Sequence, residues 1–265
     1  MQPKLSDLEL MSRQAGVILR HGYIKRPGFG ANHRIERKGA IDLVTEIDKQ
    51  SEAFLLGEIR RRFPDHRIEA EESGELSGDD CCVWYVDPLD GTINYAHGVP
   101  IFSVSIGLAR EGVLQLGAVY DPMHDECFSA ERGRGAWLNG QPIRCSKTKE
   151  LIESLLVTGF SYDIHSNPQN NLDQYVLFSL RARGVRRIGS AAIDLCYVAS
   201  GRFDGFWELS LGPWDLAAGA LIAEEAGAVV TDLKGDADYL QPPCPVLAAN
   251  AHLHPKMLKL LQEMS

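Results

Sequence analysis

The sequence predicts a mixed α/β protein of the α+β kind, and three observations carry that prediction. Up to about residue 140, two segments of helical period are followed by short apolar runs separated by turn signals. Beyond that point strand-like and helix-like segments alternate, the pattern of sheets covered by helices. The 265 residues, 45% hydrophobic and 24% charged, suit a large globular unit with its own core.

The elements follow in order. From Ser6 to about Arg26, Leu8, Met11, Ala15, Ile18 and Leu19 recur at helical spacing, and Ser6 offers an N-cap. Pro27, Gly28 and Gly30 break the chain. Asp48 to Phe63 reads as a second helix, with Phe54, Leu55, Ile59 and Phe63 on one side and Pro64 as the stop. Strands are expected over Cys82 to Val86, Phe102 to Ala109, Val113 to Tyr120 and Cys127 to Glu131, forming an antiparallel set. The second half reads as strand Leu155 to Gly159, helix Leu172 to Arg183, strand Val185 to Ile188 and helix Ser190 to Ser200. Strand Phe203 to Glu208, helix Trp214 to Ala226, strands Ala228 to Thr231 and Val246 to Ala249, and a closing helix His254 to Met264 complete it. The expectation is one unit over 1–265, with a sub-boundary near 140–152, where Gly140, Pro142 and the polar stretch Ser146 to Glu150 sit.

Charge and cysteine usage narrow the function. Thirty-six acidic against 27 basic residues leave a net charge of −9, the wrong sign for a chain whose primary ligand is nucleic acid. The six cysteines form no C-x-x-C pair and several lie in apolar runs, as reduced, buried thiols of a cytoplasmic protein do. Asp7 and Glu9 stand where a signal peptide would be apolar, and the longest apolar run, Leu216 to Ala223, is too short to span a bilayer. The expected location is cytoplasmic, with no membrane partner.

Four segments gather carboxylates where elements begin or end: Asp42 to Asp48, Glu69 to Ser73, Trp84 to Asn94, and Trp214 to Gly219. The third is the most informative. An apolar strand delivers Asp87, Pro88 turns the chain, and Asp90 follows three residues after Asp87, which lets both carboxylates face one point. Gly91 permits close backbone approach, and the N–H groups of Gly91 and Thr92 can receive an anion. Two hard carboxylates beside such a turn are what a magnesium site for phosphate chemistry needs. Taken singly, each segment has a plainer reading: D-P-x-D-G is more often a loop, Asp215, Asp42 and Asp48 are ordinary helix caps, and Glu71-Glu72 is a solvated pair. Their joint occurrence in this order is the signal.

The set D-L-V-T-x-x-D from Asp42, E-E-S from Glu71, W-x-V-D-P-L-D-G-T-x-N-Y-x-H-G-x-P from Trp84 and W-D-x-A-A-G from Trp214 resembles the signature of the inositol monophosphatase family. The resemblance covers nearly the whole chain. It implies a layered α-β-α-β-α sandwich, a homodimer, and Mg2+-dependent, lithium-sensitive hydrolysis of myo-inositol monophosphate by a metal-activated water, with two or three Mg2+ per site. The implied metal ligands are Glu71, Asp87, Asp90, Asp215 and the Leu89 carbonyl. Gly91 and Thr92 would hold the phosphate; Glu71, Thr92 and Asp48 would serve catalysis, Asp48 as hydrogen-bond partner of Thr92. Glu208 and the Gly189-Ser190-Ala191 segment, with Asp90 and Asp215, would face the polyol. Two local departures stand out: Glu69-Ala70-Glu71 in place of the family's apolar-Gly-Glu, and Gly212-Pro213 before Trp214.

Fructose-1,6-bisphosphate or another sugar phosphate is the alternative substrate for the same site. A partner-binding role with RNA or the transcription machinery, which some bacterial relatives have, is the alternative of a different class. Of the basic clusters, Arg60 to Arg62 reads as a solvated helix end before a phosphate or RNA site, and Arg181, Arg183, Arg186 and Arg187 as basic surface, with a dimer or substrate rim as the alternative. His97 reads as a structural residue, because magnesium prefers oxygen ligands.

Overall fold

The computed structural model describes residues 2–25, 35–37 and 43–263; Asp42 and the Pro27–Gly30 break lie outside them. Helix α1 (Leu5–Ile24) buries Leu8, Met11, Ala15 and Leu19, the stripe its spacing predicts. Its cap differs from the expected one. The Asp7 carboxylate accepts the Lys4 backbone N–H at 2.9 Å, so Lys4 is the cap residue and Ser6 lies within the first turn. An acidic side chain reaching back from the third helical position suits the positive helix end better than a hydroxyl one turn too late.

After a short antiparallel pair, β1 (Ile35–Arg37) and β2 (Leu43–Thr45), comes helix α2 (Glu46–Arg62). The helix buries Asp48, Ser51, Glu52, Leu55 and Ile59. This single face is apolar in its second half and polar in its first.

Eight strands form the larger sheet: β3 (His66–Ala70), β4 (Gly74–Leu76), β5 (Asp79–Asp90), β6 (Ser103–Arg110), β7 (Val113–Asp121), β8 (Glu126–Glu131), β9 (Gly135–Leu138) and β10 (Gln141–Pro142). Their order is β10-β9-β8-β7-β6-β5-β3-β4. The four expected strands, β5 to β8, pair antiparallel as predicted, and every other neighbouring pair is antiparallel except β3 and β5, which run parallel. The cause is local: β4 hairpins back along one edge of β3, and β5 then returns along the other. On β6, Val104, Ile106 and Leu108 join the cluster under α1 and α2.

The short helix α3 (Thr92–His97) follows β5 directly. The second sheet joins β11 (Leu155–Thr158), β12 (Gly184–Arg186), β13 (Gly205–Glu208), β14 (Ala228–Thr231) and β15 (Val246–Asn250) in the order β12-β11-β13-β15-β14. Helix α4 (Leu172–Ser179) stops short of the expected Arg183, because the Arg183 N–H already bonds the Ser154 carbonyl at the start of β11. Helices α5 (Ala191–Ala199), α6 (Pro213–Glu225) and α7 (His254–Gln262) complete the chain.

Three apolar clusters mark the layers. One joins α1 and α2 to the eight-stranded sheet, one surrounds α5 and α6 and draws from both sheets, and one joins α7 and Phe178 of α4 to the five-stranded sheet. The result is the α-β-α-β-α sandwich. Helix α6 is apolar on every side and buried from Leu216 through Ala223, as a helix between two sheets must be.

That helix carries Asp215, so its seating matters. Gly107 and Gly117 face each other across β6 and β7 beneath it. A Cβ on Gly107 would lie 2.7 Å from the Ala217 Cβ, and one on Gly117 2.9 Å from the Ala218 carbonyl oxygen. Gly107→Ala should therefore cost about 1–3 kcal/mol through overpacking. Gly57→Ala, in open space on α2, should gain about 0.5–1 kcal/mol. Denaturant unfolding of the two variants checks the opposite signs; equal effects would contradict this account of the contact.

No described helix is long and apolar enough to cross a membrane. All six cysteines are free thiols, with Cys82, Cys127, Cys196 and Cys244 buried and Cys81 exposed.

Candidate active site

The site begins with an irregularity in β5. Asp87 pairs with Ser105 and Asp90 with Ser103, so three steps on β5 oppose two on β6. In a regular strand, side chains three residues apart point to opposite faces; the extra residue of this bulge brings both carboxylates to one side. Asp87 Oδ1 accepts the Leu89 N–H at 2.9 Å, which fixes the bulge from within. Gly91 then takes φ 94°, and a Cβ there would press within 3.0 Å of the Ile101 carbonyl. The Thr92 hydroxyl donates to the Leu89 carbonyl at 3.0 Å, whereas the resemblance implies Asp48 as its partner. Asn94, on the same short helix, donates through Nδ2 to the carbonyls of Ile101 (2.9 Å) and Ile188 (2.7 Å), tying the Gly189 segment to the motif.

Three other elements meet the bulge. Asp90 Oδ2 accepts the Ser190 hydroxyl at 2.5 Å and the Ala192 N–H at 2.8 Å, and Oδ1 accepts the Ala191 N–H at 3.3 Å. The carboxylate thus sits on the N-terminus of α5, where the helix dipole favours negative charge. Asp215 stands in the first turn of α6, with Oδ2 accepting the Gly212 N–H at 2.7 Å. The Ser105 hydroxyl donates to the Trp214 carbonyl at 3.1 Å and holds that turn against β6. Glu71 follows β3, its N–H extending the ladder to the Val86 carbonyl at 3.1 Å.

The carboxylates form two groups. Asp87, Asp90 and Asp215 can bring one oxygen each within 4.8 Å of one another, and so can Asp48, Glu71 and Glu72. The first group and Glu71 of the second border a cavity of about 440 Å³, lined also by Leu89, Gly91, Thr92, Gly189, Ser190, Ala191 and Glu208. The expected metal, phosphate and polyol residues therefore meet at one place; Asp48 stands behind it, buried, beside Glu71.

Two residues that the sequence reading did not consider, Asp194 and Glu52, belong to the setting of the site, as does Arg187. Asp194, on α5, lines the cavity, is 1% exposed, and has an Oδ1 with no hydrogen-bond partner. A lone acid in the apolar run Ala191 to Ala199 was its signal. Arg187 is exposed, as its reading as basic surface expected, and also lines the cavity, the substrate-rim alternative. Glu52 is buried on α2 and accepts the Glu72 N–H at 3.0 Å. His97, by contrast, is exposed.

This crowding governs the electrostatics. Burial pushes Asp87 well above the usual carboxylate range, and Glu71, Asp90, Asp215 and Asp48 push it further. Asp215 rises to about 8 through burial and the charge of Asp90. Glu208 also rises to about 8 through burial, with Arg187 opposing and Asp90 adding to the rise. Burial raises Asp90 too, offset by its hydrogen bonds from Ser190, Ala192 and Ala191. Burial, then Glu208 and Asp90, lift Asp194 well up. Mutually repelling buried carboxylates are relieved by a cation, and the donors here are all hard oxygens; among the described residues no His or Cys lines the cavity. That chemistry fits Mg2+ and similar ions and suits soft metals poorly.

Comparison with known proteins agrees with the architecture. The sequence model of the Inositol monophosphatase family matches residues 7–265. An Inositol-1-monophosphatase of Synechocystis sp. is 50% identical over 205 residues, covering 77% of this chain and 71% of that protein. The Nus factor SuhB of Escherichia coli (strain K12) is 41% identical over 241 residues, covering 91% of this chain and 89% of the other. Among solved structures, an inositol monophosphatase from Anabaena (Nostoc) sp. superposes with TM-score 0.88 at 43% identity, covering 98% of this chain and 95% of that one. With its sandwich fold, its converging carboxylates and a family match over nearly its full length, the chain belongs to the inositol monophosphatase family.

Proposed function

We propose that the chain is a Mg2+-dependent phosphatase that hydrolyses myo-inositol monophosphate. The observation that carries this reading is the approach of Asp87, Asp90 and Asp215 to within 4.8 Å, beside the Gly91–Thr92 turn. When bound, divalent cations supply Lewis acidity, acidifying a water and offsetting charge on the phosphoryl oxygens. Glu71, Asp87, Asp90, Asp215 and the Leu89 carbonyl would hold them. The Gly91 and Thr92 N–H groups orient the phosphate, and Glu71, with Thr92, takes or directs the proton of the attacking water. Glu208 and the Gly189 to Ala191 segment face the polyol, with Asp48 supporting Glu71 from behind. The cavity volume suits a monophosphorylated ring.

A panel of phosphate esters assayed with and without Mg2+ tests this. Inositol monophosphate should be turned over with the highest kcat/KM, only with Mg2+, and with inhibition by millimolar lithium. A preference for fructose-1,6-bisphosphate would move the assignment to a sugar phosphatase on the same site. Turnover unaffected by chelation would overturn it. The proposal includes a cytoplasmic homodimer, which sedimentation of the purified protein checks as to assembly. Relatives named Nus factor SuhB at 41–45% identity favour a second reading, a binding role toward transcription components that coexists with catalysis. Pull-down with an inactive Asp90→Asn protein separates the two roles.

A further inference from the structure

We propose that Ser51 and Glu52 are positioning residues that set the distance between the two acidic loops and thereby the affinity of the site for divalent cations. The parallel ladder of β3 and β5 ends at the pair Ala70 and Val86, one residue before each loop delivers its carboxylate. The Glu71 N–H to Val86 bond is the last rung, and among the described residues the β3–β5 register does not continue into the Glu71–Ser73 turn and the Asp87–Asp90 bulge. One turn of α2 spans the gap. The Ser51 hydroxyl donates to the Pro88 carbonyl at 2.9 Å, inside the bulge. Glu52 accepts the Glu72 N–H through Oε2 at 3.0 Å and the Ser73 hydroxyl through Oε1. Both side chains are buried, Ser51 completely.

Burying a carboxylate is costly, and a turn needs no more than a serine or asparagine to satisfy one N–H. A glutamate with both oxygens engaged by consecutive residues holds the turn at two points and leaves it little freedom to rotate. Glu71, immediately before those residues, is thereby fixed relative to α2, and Ser51 fixes the bulge to the same helix turn. Partners of this kind, behind the ligands themselves, tune cation affinity by about 10–100-fold.

The inference rests on the reading of the cavity as a cation site. The test is calorimetric titration of the full chain with Mn2+ and Mg2+, without substrate, for the unaltered protein, Ser51→Ala, Glu52→Ala and Glu52→Gln. Melting temperature in chelator and kcat and KM at saturating cation are measured in parallel. Glu52→Ala should weaken cation binding about 10–100-fold and Ser51→Ala about tenfold, with kcat at saturating cation close to that of the unaltered protein. Glu52→Gln should recover most of the affinity, because its amide can still accept the Glu72 N–H and donate to the Ser73 hydroxyl. Cation affinity unchanged in variants whose melting temperature falls would reduce both residues to fold stability and overturn the proposal. Glu52→Gln binding as weakly as Glu52→Ala would show that charge, not positioning, acts. Should Glu52→Ala fail to fold, Ser51→Ala and Glu52→Gln decide the matter. Absence of cation binding by the unaltered protein would instead overturn the underlying site assignment.

Discussion

Asp90→Asn should lower kcat/KM for inositol monophosphate by about a thousandfold, which is about 4 kcal/mol of transition-state stabilisation, while leaving the fold intact. The side chain keeps its size but loses its charge. Its remaining oxygen must face the closer donors, the Ser190 hydroxyl and the Ala192 N–H, and only the long 3.3 Å bond from the Ala191 N–H is given up. The new amide N–H groups then point toward Asp87 and Asp215, where the acidic triad would hold a cation. An N–H group there repels a cation instead of binding it. In chelator, however, the substitution removes one of several crowded buried carboxylates, so the cation-free protein should melt at the same temperature or higher. The pairing of lost turnover with undiminished stability is the distinctive result. Activity within tenfold of the unaltered protein would count against the assigned role of Asp90.

The second large effect concerns pH. In the cation-free protein, Asp215 and Glu208 hold their protons to about 8, against 3.8 and 4.5 for ordinary carboxyls. Between those limits the folded state binds more protons than the unfolded chain, so stability must fall as pH rises. Melting temperature in chelator should therefore decline from about pH 5 to about pH 8, against the common trend for proteins with salt-bridged acids. Mg2+ should reverse the decline, and the rise in melting temperature it produces should be larger at about pH 8 than at about pH 5, because ligand protons no longer compete. Glu208→Gln should flatten part of the slope in chelator. A cation-free melting temperature that is flat or rising over this range would show that the acids are not held up by their surroundings.

The sequence displayed the layers well because they rest on periodicity. Leu8, Met11, Ala15 and Leu19 marked the buried stripe of α1, and the Leu216 to Ala223 run marked a helix enclosed on all sides. The parallel pairing of β3 with β5 left no trace in composition, since strand direction depends on which edge of β3 remains free when the chain returns. The four acidic segments could be gathered as motifs and Asp87 and Asp90 expected to face one point, but the backbone device that lets them do so could not be read. Only the bulge between Asp87 and Asp90 turns two carboxylates of opposite strand parity to the same side.

The two acids overlooked in the sequence share one property. Asp194 and Glu52 are acids buried on helices, whereas a charged residue on a helix reads by default as solvent-facing. Glu52 was legible in hindsight through position. It continues the face of Leu55 and Ile59 toward the N-terminus of α2, where that face turns polar because it meets the acidic loops instead of the apolar core. Arg187 is exposed like Arg181, Arg183 and Arg186, and nothing in the sequence set it apart as a residue of the cavity rim.

Diffraction from Mn2+-soaked crystals, recorded at the manganese edge, tests the central claim most directly. The account predicts anomalous density among the carboxylates of Asp87, Asp90 and Asp215, with a further peak between Glu71 and Asp87. A cavity that stays free of anomalous density at millimolar Mn2+, in crystals with the site open to solvent, would contradict it.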